Sequence, residues 1–360
     1  MTQHEVKEEG TVSESVPSSV VDTDGGERFI DLFAGLGGFR IGLTRAGFEC
    51  VYGSDFNKNA AAVYKANFGE DIHSDITQVD VDSIPDFNIL AGGFPCQPFS
   101  AAGKKQGFGD TRGTLFFDIC RIVKAKKPKV VFLENVKSLT THDKGNTFTV
   151  IRESLEELGY SVSYAVLNAV DYGVPQSRER IVIVASREGE FDFSKVSTTP
   201  RRPLREFLDP EAPDDSVWLS EDDYVLLEPD QRKVQKTGLI FAGYRKGNLR
   251  LSGVKENSSH LSRAHKQMNR IYDAEGSHPT LSSTESSGRY FILTDKPDGS
   301  RGVRKLSMDE CYRIFGYPED YARVGRVSEQ YNRIGNSIAV PMVEAVSHQI
   351  REQLFSPEEP

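Results

Sequence analysis

Long apolar runs are missing from this sequence: no stretch approaches the roughly 20 consecutive apolar residues that a membrane-spanning helix needs. Cysteine is scarce. The four in 360 residues are Cys50, Cys96, Cys120 and Cys311, and none lies within metal-clip spacing of another. Neither a metal site nor a disulfide framework is expected. No internal repeat is visible, which excludes a solenoid. An excess of basic residues is absent too. The chain has 44 Lys/Arg against 53 Asp/Glu, a net charge of −9, which taken alone speaks against a nucleic-acid partner. An apolar signal core is also lacking: residues 1–26 are polar and acidic and are expected to form a disordered tail. A reducing cytoplasm is the simplest compartment for such a chain.

The distribution of charge reverses the impression left by its sum. Residues 232–305 hold 15 Lys/Arg against 6 Asp/Glu, while residues 201–230 hold 3 against 10. A basic block inside an acidic protein is the footprint of a phosphate-facing surface. A solvated charged face is the plainer alternative.

A chain of this length can bury one large core or two. Between residues 28 and 186 strand and helix patterns alternate. Strands are expected at 28–33, 49–53, 88–91, 129–133, 161–169 and 180–185, and helices at 39–46, 58–67, 114–126 and 148–158. This alternation predicts an α/β fold with a mostly parallel sheet covered on both faces, in which ligands bind off the carboxyl ends of the strands. After residue 194 Pro, Ser, Asp, Gly and Arg dominate to about residue 303, predicting a second, loop-rich domain with short strands such as 290–294. Helical patterning resumes at Leu306, and 335–353 reads as a loop leading into a helix. The expected division is 1–26, 27–195, 196–303 and 304–354.

The motifs fall at the strand ends. Gly92-Gly93-Phe94-Pro95-Cys96-Gln97-Pro98-Phe99-Ser100 sets one thiol between two prolines after an apolar strand. A lone cysteine is ordinarily a small buried hydrophobe, but the Gly, Pro, Gln and Ser around Cys96 argue against burial. Cys120 and Cys311 sit on apolar helical faces and are expected in the core. The first strand ends in Asp31-Leu32-Phe33-Ala34-Gly35-Leu36-Gly37-Gly38-Phe39-Arg40, a turn that lets backbone approach a ligand at a helix N-terminus. Arg40 stands where the third glycine of a dinucleotide fingerprint would be. Asp55, at the end of the second strand, is placed to bond two ribose hydroxyls. Asp75-Ile76, expected after a further short strand, suits an adenine edge and ring face. Glu134, after the run 130–133, emerges at the same sheet edge as Cys96, where burial would raise its pKa and let it donate a proton. Arg178 and Arg180, two apart on an extended segment, point the same way, which suits an anion or a carbonyl.

In these pieces the chain resembles the cytosine-5 DNA methyltransferases, of the bacterial restriction–modification type. The matching segments are 31–38, Asp55, Asp75-Ile76, Pro95-Cys96-Gln97, Glu134-Asn135-Val136, 176–180, Arg304-Lys305-Leu306-Ser307 with Glu310, and Gly335-Asn336-Ser337, all in the family's order. The resemblance implies a Rossmann-like fold with a smaller target-recognition domain at 196–303, and S-adenosylmethionine as cofactor, leaving as S-adenosylhomocysteine. Phe33, Gly35, Leu36, Asp55, Phe56, Asp75, Ile76, Pro95, Asn336 and Ser337 would contact it. For Asn336 and Ser337 to do so, the C-terminal segment must fold back onto the first domain. Asp55 stands where many relatives have Glu, a reach shorter by one methylene.

By the same resemblance Cys96 is the nucleophile, Glu134 the acid at the pyrimidine ring, and Arg178 and Arg180 the holders of a flipped base. The partner would be double-stranded DNA, touched by Gln97, Ser100, Arg112, Arg263, Lys266, Arg270 and Thr280, with residues 99–111 as a closing lid. Thr280-Leu281 looks similar to a Thr-Leu pair in related target domains. A cognate restriction endonuclease would be a partner in function rather than by contact, and the chain is expected to act as a monomer. Two readings on the same fold compete: a transfer-RNA cytosine-5 methyltransferase, which the basic block disfavours, and an inactive DNA-binding regulator, which the intact cysteine and cofactor turn disfavour. A nicotinamide dehydrogenase is disfavoured by the incomplete glycine fingerprint and has no use for Pro95-Cys96-Gln97.

Overall fold

The computed structural model describes residues 26–95, 115–211, 218–246, 258–283 and 291–356. A six-stranded sheet runs in the order β2-β1-β3-β4-β7-β5, from β1 (Arg28–Leu32), β2 (Glu49–Ser54), β3 (Ile89–Gly93), β4 (Val130–Val136), β5 (Ser161–Asn168) and β7 (Glu179–Ser186). β2, β1, β3 and β4 are parallel to one another, and β7 is antiparallel to both β4 and β5. Between β2 and β3 the sequence predicts another strand, but His73 makes only an isolated bridge to Asp55.

Apolar runs such as Val130-Val131-Phe132-Leu133 arise because both faces of the sheet are covered. Alternate residues divide between two cores. Phe29, Ala91, Val130, Phe132, Val182 and Val184 face α1 (Gly38–Arg45) and the C-terminal helix α7 (Val340–Leu354). Ile30, Leu90, Val131, Leu133, Ile181 and Ile183 face α3 (Leu115–Lys126) and α4 (Asn146–Glu157). Phe116, Ile119, Cys120 and Val123 form the buried stripe of α3 at helical spacing, so Cys120 is a core residue, and Cys311 is buried likewise. Helix α7 returns to the first part of the chain: Met342, Val343, Val346 and Ile350 pack with Phe39 and Leu43. At its end Arg351 donates to the carbonyl oxygens of Ala46 and Gly47.

A second sheet has the order β13-β12-β10-β9-β8. It comprises β8 (Tyr224–Leu226), β9 (Phe241–Arg245), β10 (Arg270–Asp273), β12 (Phe291–Asp295) and β13 (Arg301–Lys305). Its core is Tyr224, Ala242, Ile271, Phe291, Leu293 and Val303. Two short parallel strands, β6 (Gln176–Ser177) and β11 (His278–Pro279), tie this half of the chain to the first sheet. The C-terminal part adds α5 (Met308–Arg313) and α6 (Val327–Asn336). Gly335 and Asn336 therefore end a helix, where the sequence predicts a loop. The apolar face of α6 is Tyr331 and Ile334, too short a repeat to stand out in so polar a stretch. Among the described residues no helix is long and apolar enough to cross a membrane.

Candidate active site

The carboxyl ends of β1 to β4 open on one cavity of about 560 Å³, within the range of about 300–1,000 Å³ typical of small-molecule sites. The turn after β1 forms one wall. Phe33, Gly35 and Gly37 there take φ of 55°, 54° and 72°, the left-handed region that side chains disfavour. Gly37 caps α1, and a Cβ on it would lie 2.5 Å from the ring of Phe68, the last residue of α2 (Lys58–Phe68). Arg40 is taken up by Glu70, with bonds of 2.7 and 2.8 Å.

Asp55 locks this wall to the next. One carboxylate oxygen accepts from the Gly35 amide at 2.8 Å and the other from the Asn57 amide at 2.7 Å. Each oxygen keeps a lone pair for a ligand hydroxyl, and burial pushes the carboxyl's pKa up. Phe56 beside it is 74% exposed on the cavity rim, an uncovered ring suited to stacking a flat group. From the C-terminal part Tyr321 donates to the Leu36 carbonyl at 2.6 Å, and the hydroxyls of Tyr317 and Ser337 are 2.5 Å apart.

The opposite wall carries the acid. Glu134 lies beside Gly93 in the β3–β4 register, and its Oε1 meets Arg180 Nε at 2.9 Å, with each side chain 12% exposed. Burial pushes the Glu134 pKa up, with the charges of Arg180 and then Arg178 opposing the rise. The neighbouring Asn135 donates from Nδ2 to the Phe94 carbonyl at 2.9 Å, fixing the end of β3 from which Pro95 reaches the cavity.

Of the ten residues expected at the cofactor, Phe33, Gly35, Leu36, Asp55, Phe56, Pro95, Asn336 and Ser337 line this cavity, together with Glu134, Arg178 and Arg180. Asp75 and Ile76 do not. Asp75 accepts from the Thr77 amide and hydroxyl at 3.0 and 2.8 Å, and Ile76 is buried in the core under α3. Arg178 and Arg180 do not converge as two prongs: Arg180 goes to Glu134, whereas both Nη atoms of Arg178 donate to backbone carbonyls. Cys96, Gln97, Ser100, Arg112 and the segment 99–111 lie outside the described residues. Arg263 and Lys266 are exposed, Arg270 donates to the His265 carbonyl at 3.2 Å, and Thr280 donates to the Ser177 carbonyl at 2.6 Å. Asn135 belongs to the Glu134-Asn135-Val136 motif without a role of its own in the sequence reading. Tyr317 and Tyr321 belong to no motif, and their hydroxyls reach the site across long sequence separations. Among the described residues no group of His, Cys, Asp or Glu is placed to hold a metal ion.

Beneath the turn, Asp31 is fully buried on the α1 side of β1. Burial pushes its pKa up to about 8, against the pull of Arg40, whose charge is already committed to Glu70. Between pH 4 and 8 the folded chain holds a proton here that the unfolded chain has released, so raising the pH favours unfolding. Asp31→Asn is therefore expected to flatten the fall of stability with pH, gaining up to about 1.4 kcal/mol on the parent from pH 6 to 7. Urea unfolding at each pH reads this, and parallel slopes for the two proteins would refute it.

The sequence profile of the C-5 cytosine-specific DNA methylases matches residues 27–352. The chain is 40% identical over 341 residues to the Type II methyltransferase M.HhaI of Haemophilus parahaemolyticus, covering 92% of this chain and 97% of that one. It is 40% identical over 316 residues to M.NgoBI of Neisseria gonorrhoeae, covering 88% and 90%. Among solved structures, the S. pombe Dnmt2 methyltransferase matches 92% of this chain and 100% of its own with a TM-score of 0.67. At 19% identity that likeness speaks for the fold alone. With its motifs in the family's order and residues 27–352 matched by the profile, the chain belongs to the C-5 cytosine-specific DNA methylase family and is a DNA (cytosine-5)-methyltransferase.

Proposed function

We propose that this enzyme methylates one cytosine, flipped out of a specific duplex sequence, and thereby shields DNA from a cognate restriction endonuclease. It works as a cytoplasmic monomer, with residues 27–195 and 304–354 as catalytic and cofactor parts and 196–303 as the target reader. The observation that carries this reading is the shared cavity. The Gly35 turn, Asp55 and Phe56 lie on one wall, and Glu134 with Arg180 on the other. S-adenosylmethionine fits the donor set: the turn would offer backbone to its carboxylate end, Asp55 would offer two oxygens to its ribose, and Phe56 a ring face to its adenine. When bound, it supplies an electrophilic methyl carbon.

The chain's own residues make cytosine C5 reactive. The Cys96 thiolate forms a bond to C6, and the ring's electrons move toward N3 and O2. Glu134, its pKa raised by burial, holds a proton against N3, and Arg180 offsets charge on O2. C5 becomes an enamine carbon able to take the methyl group. Transfer of the C5 proton to solvent water and departure of the Cys96 sulfur as a thiolate restore the aromatic ring. Extruding the base costs a few kcal/mol, and the exposed Arg263 and Lys266 beside the second sheet are suited to the phosphates that hold the duplex meanwhile.

Expression in cells that lack cytosine methylation, followed by bisulfite sequencing of DNA and of transfer RNA, tests the proposal. Near-complete 5-methylcytosine at one recurring DNA sequence is the expected result. Modification of transfer RNA alone would replace it with the RNA reading, and no modification of either with the inactive regulator.

A further inference from the structure

Arg178 is 2% exposed and, among the described residues, forms no ion pair; Glu134 is taken by Arg180. Its guanidinium instead joins three segments. Nη1 donates to the Leu281 carbonyl at 3.1 Å, Nη2 to the Gly335 and Ser337 carbonyls at 3.0 and 2.7 Å, and the group lies 5.0 Å over the Phe315 ring. Burial, and then the charge of Arg180, bring its pKa down to about 9, so it stays charged at neutral pH. A desolvated charge held by carbonyl dipoles is a costly fastening. What it offers over a neutral donor is a rigid planar fork that fixes its acceptors relative to one another.

The acceptors belong to two different sites. Gly335 and Ser337 line the cavity, whereas Leu281 lies in the segment that follows β11. Further contacts run along the same seam. The Leu281 amide donates to Gln176 Oε1 at 3.1 Å, and Thr280 to the Ser177 carbonyl at 2.6 Å. Gly335 packs so closely on the backbone of Ser282 that a Cβ there would lie 2.3 Å from its carbonyl. A shift of the turn 335–337 cannot leave 280–282 in place while the fork holds.

We propose that Arg178 is a positioning residue that couples the cofactor wall at 335–337 to the target-side segment 278–283, leaving the base to Arg180. A ligand that orders one side orders the other, and the coupling is reciprocal. This rests on the cofactor reading above. Hydrogen–deuterium exchange of the full chain, with and without S-adenosylhomocysteine, separates the two claims. In the parent protein the ligand is expected to slow exchange at 33–36 and 55–57, and also, by about fivefold or more, at 278–283. In Arg178→Lys, whose single ammonium cannot fork, protection at 33–36 should persist while the ligand-dependent part at 278–283 disappears. Protection at 278–283 that is absent in the parent, or equal in both proteins, overturns the coupling. So does a segment loosened alike with and without ligand, which would mean a purely structural fastening. No protection at 33–36 in the parent overturns the cofactor reading and the coupling with it. Should Arg178→Lys not fold, Thr280→Val removes the hydroxyl tie to Ser177 and is expected to reduce the same ligand-dependent difference.

Discussion

Replacing Cys96 with serine is expected to lower the rate of methyl transfer about 10⁴-fold or more, the scale seen when a covalent nucleophile is removed, while S-adenosylhomocysteine still binds. Cytosine C5 is a poor nucleophile until a group adds at C6. A thiol with an ordinary pKa near 8.5 offers an appreciable thiolate fraction near neutral pH, and a serine hydroxyl offers almost no alkoxide. The residues around the motif support this chemistry. Asn135 holds the Phe94 carbonyl, Pro95 lies on the cavity wall, and Glu134 stands in register with Gly93. The other cysteines are unsuited to the role, since Cys120 and Cys311 are buried in cores and Cys50 contacts the Tyr52 carbonyl at 3.6 Å. Cys50→Ser should accordingly methylate as the parent does. A duplex with 5-fluorocytosine at the target has no C5 proton to lose, so it should remain bonded to the parent protein and not to Cys96→Ser on a denaturing gel. Activity retained in Cys96→Ser would remove the covalent step.

The strands and their ends were legible because apolar runs buried on both faces leave a strong signal, and because a parallel sheet gathers its carboxyl ends at one edge. That is why Glu134 could be read at the same sheet edge as Cys96, and why it and Asp55, far apart in sequence, open on one cavity. What was not legible depends on contacts across the chain. Arg178 and Arg180 share a direction by strand alternation, yet one meets a carboxylate and the other three carbonyls from two later segments. Asp75 reads as a ligand from its place in a motif, and in the fold its Oδ1 accepts from the Thr77 amide and hydroxyl, a local contact that no motif announces. The basic count of residues 232–305 also includes residues with internal duties. Arg232 and Arg301 pair with Asp273, and Arg304 with Glu310. Charge summed along a sequence cannot separate a surface facing phosphates from cations spent inside the fold.

Glu310→Ala is expected to destabilise the protein by about 3–5 kcal/mol, the usual penalty for stranding one member of a buried ion pair. Glu310 is fully buried and Arg304 is 1% exposed. The guanidinium and carboxylate meet through two bonds of 2.7 Å. The same carboxylate accepts from the Ser307 amide at 2.7 Å, closing the capping box of α5, and from the Asp209 amide at 2.9 Å. Removing it leaves a buried cation and two backbone donors unmet, at the point where β13 of the second sheet joins the C-terminal helices. Glu310→Gln keeps the shape but turns one acceptor into a donor facing Arg304 or an amide, so it should recover only part of the loss. Replacing both partners with methionine removes the stranded charge, and the double variant should be more stable than either single one. Urea unfolding followed by circular dichroism and by Trp218 fluorescence gives the cycle. Because Trp218 packs over the Arg304 guanidinium at 5.7 Å, its signal reports this joint directly. A single-variant loss under about 1 kcal/mol would mean that solvent reaches the pair and that the joint is held by its apolar surroundings instead.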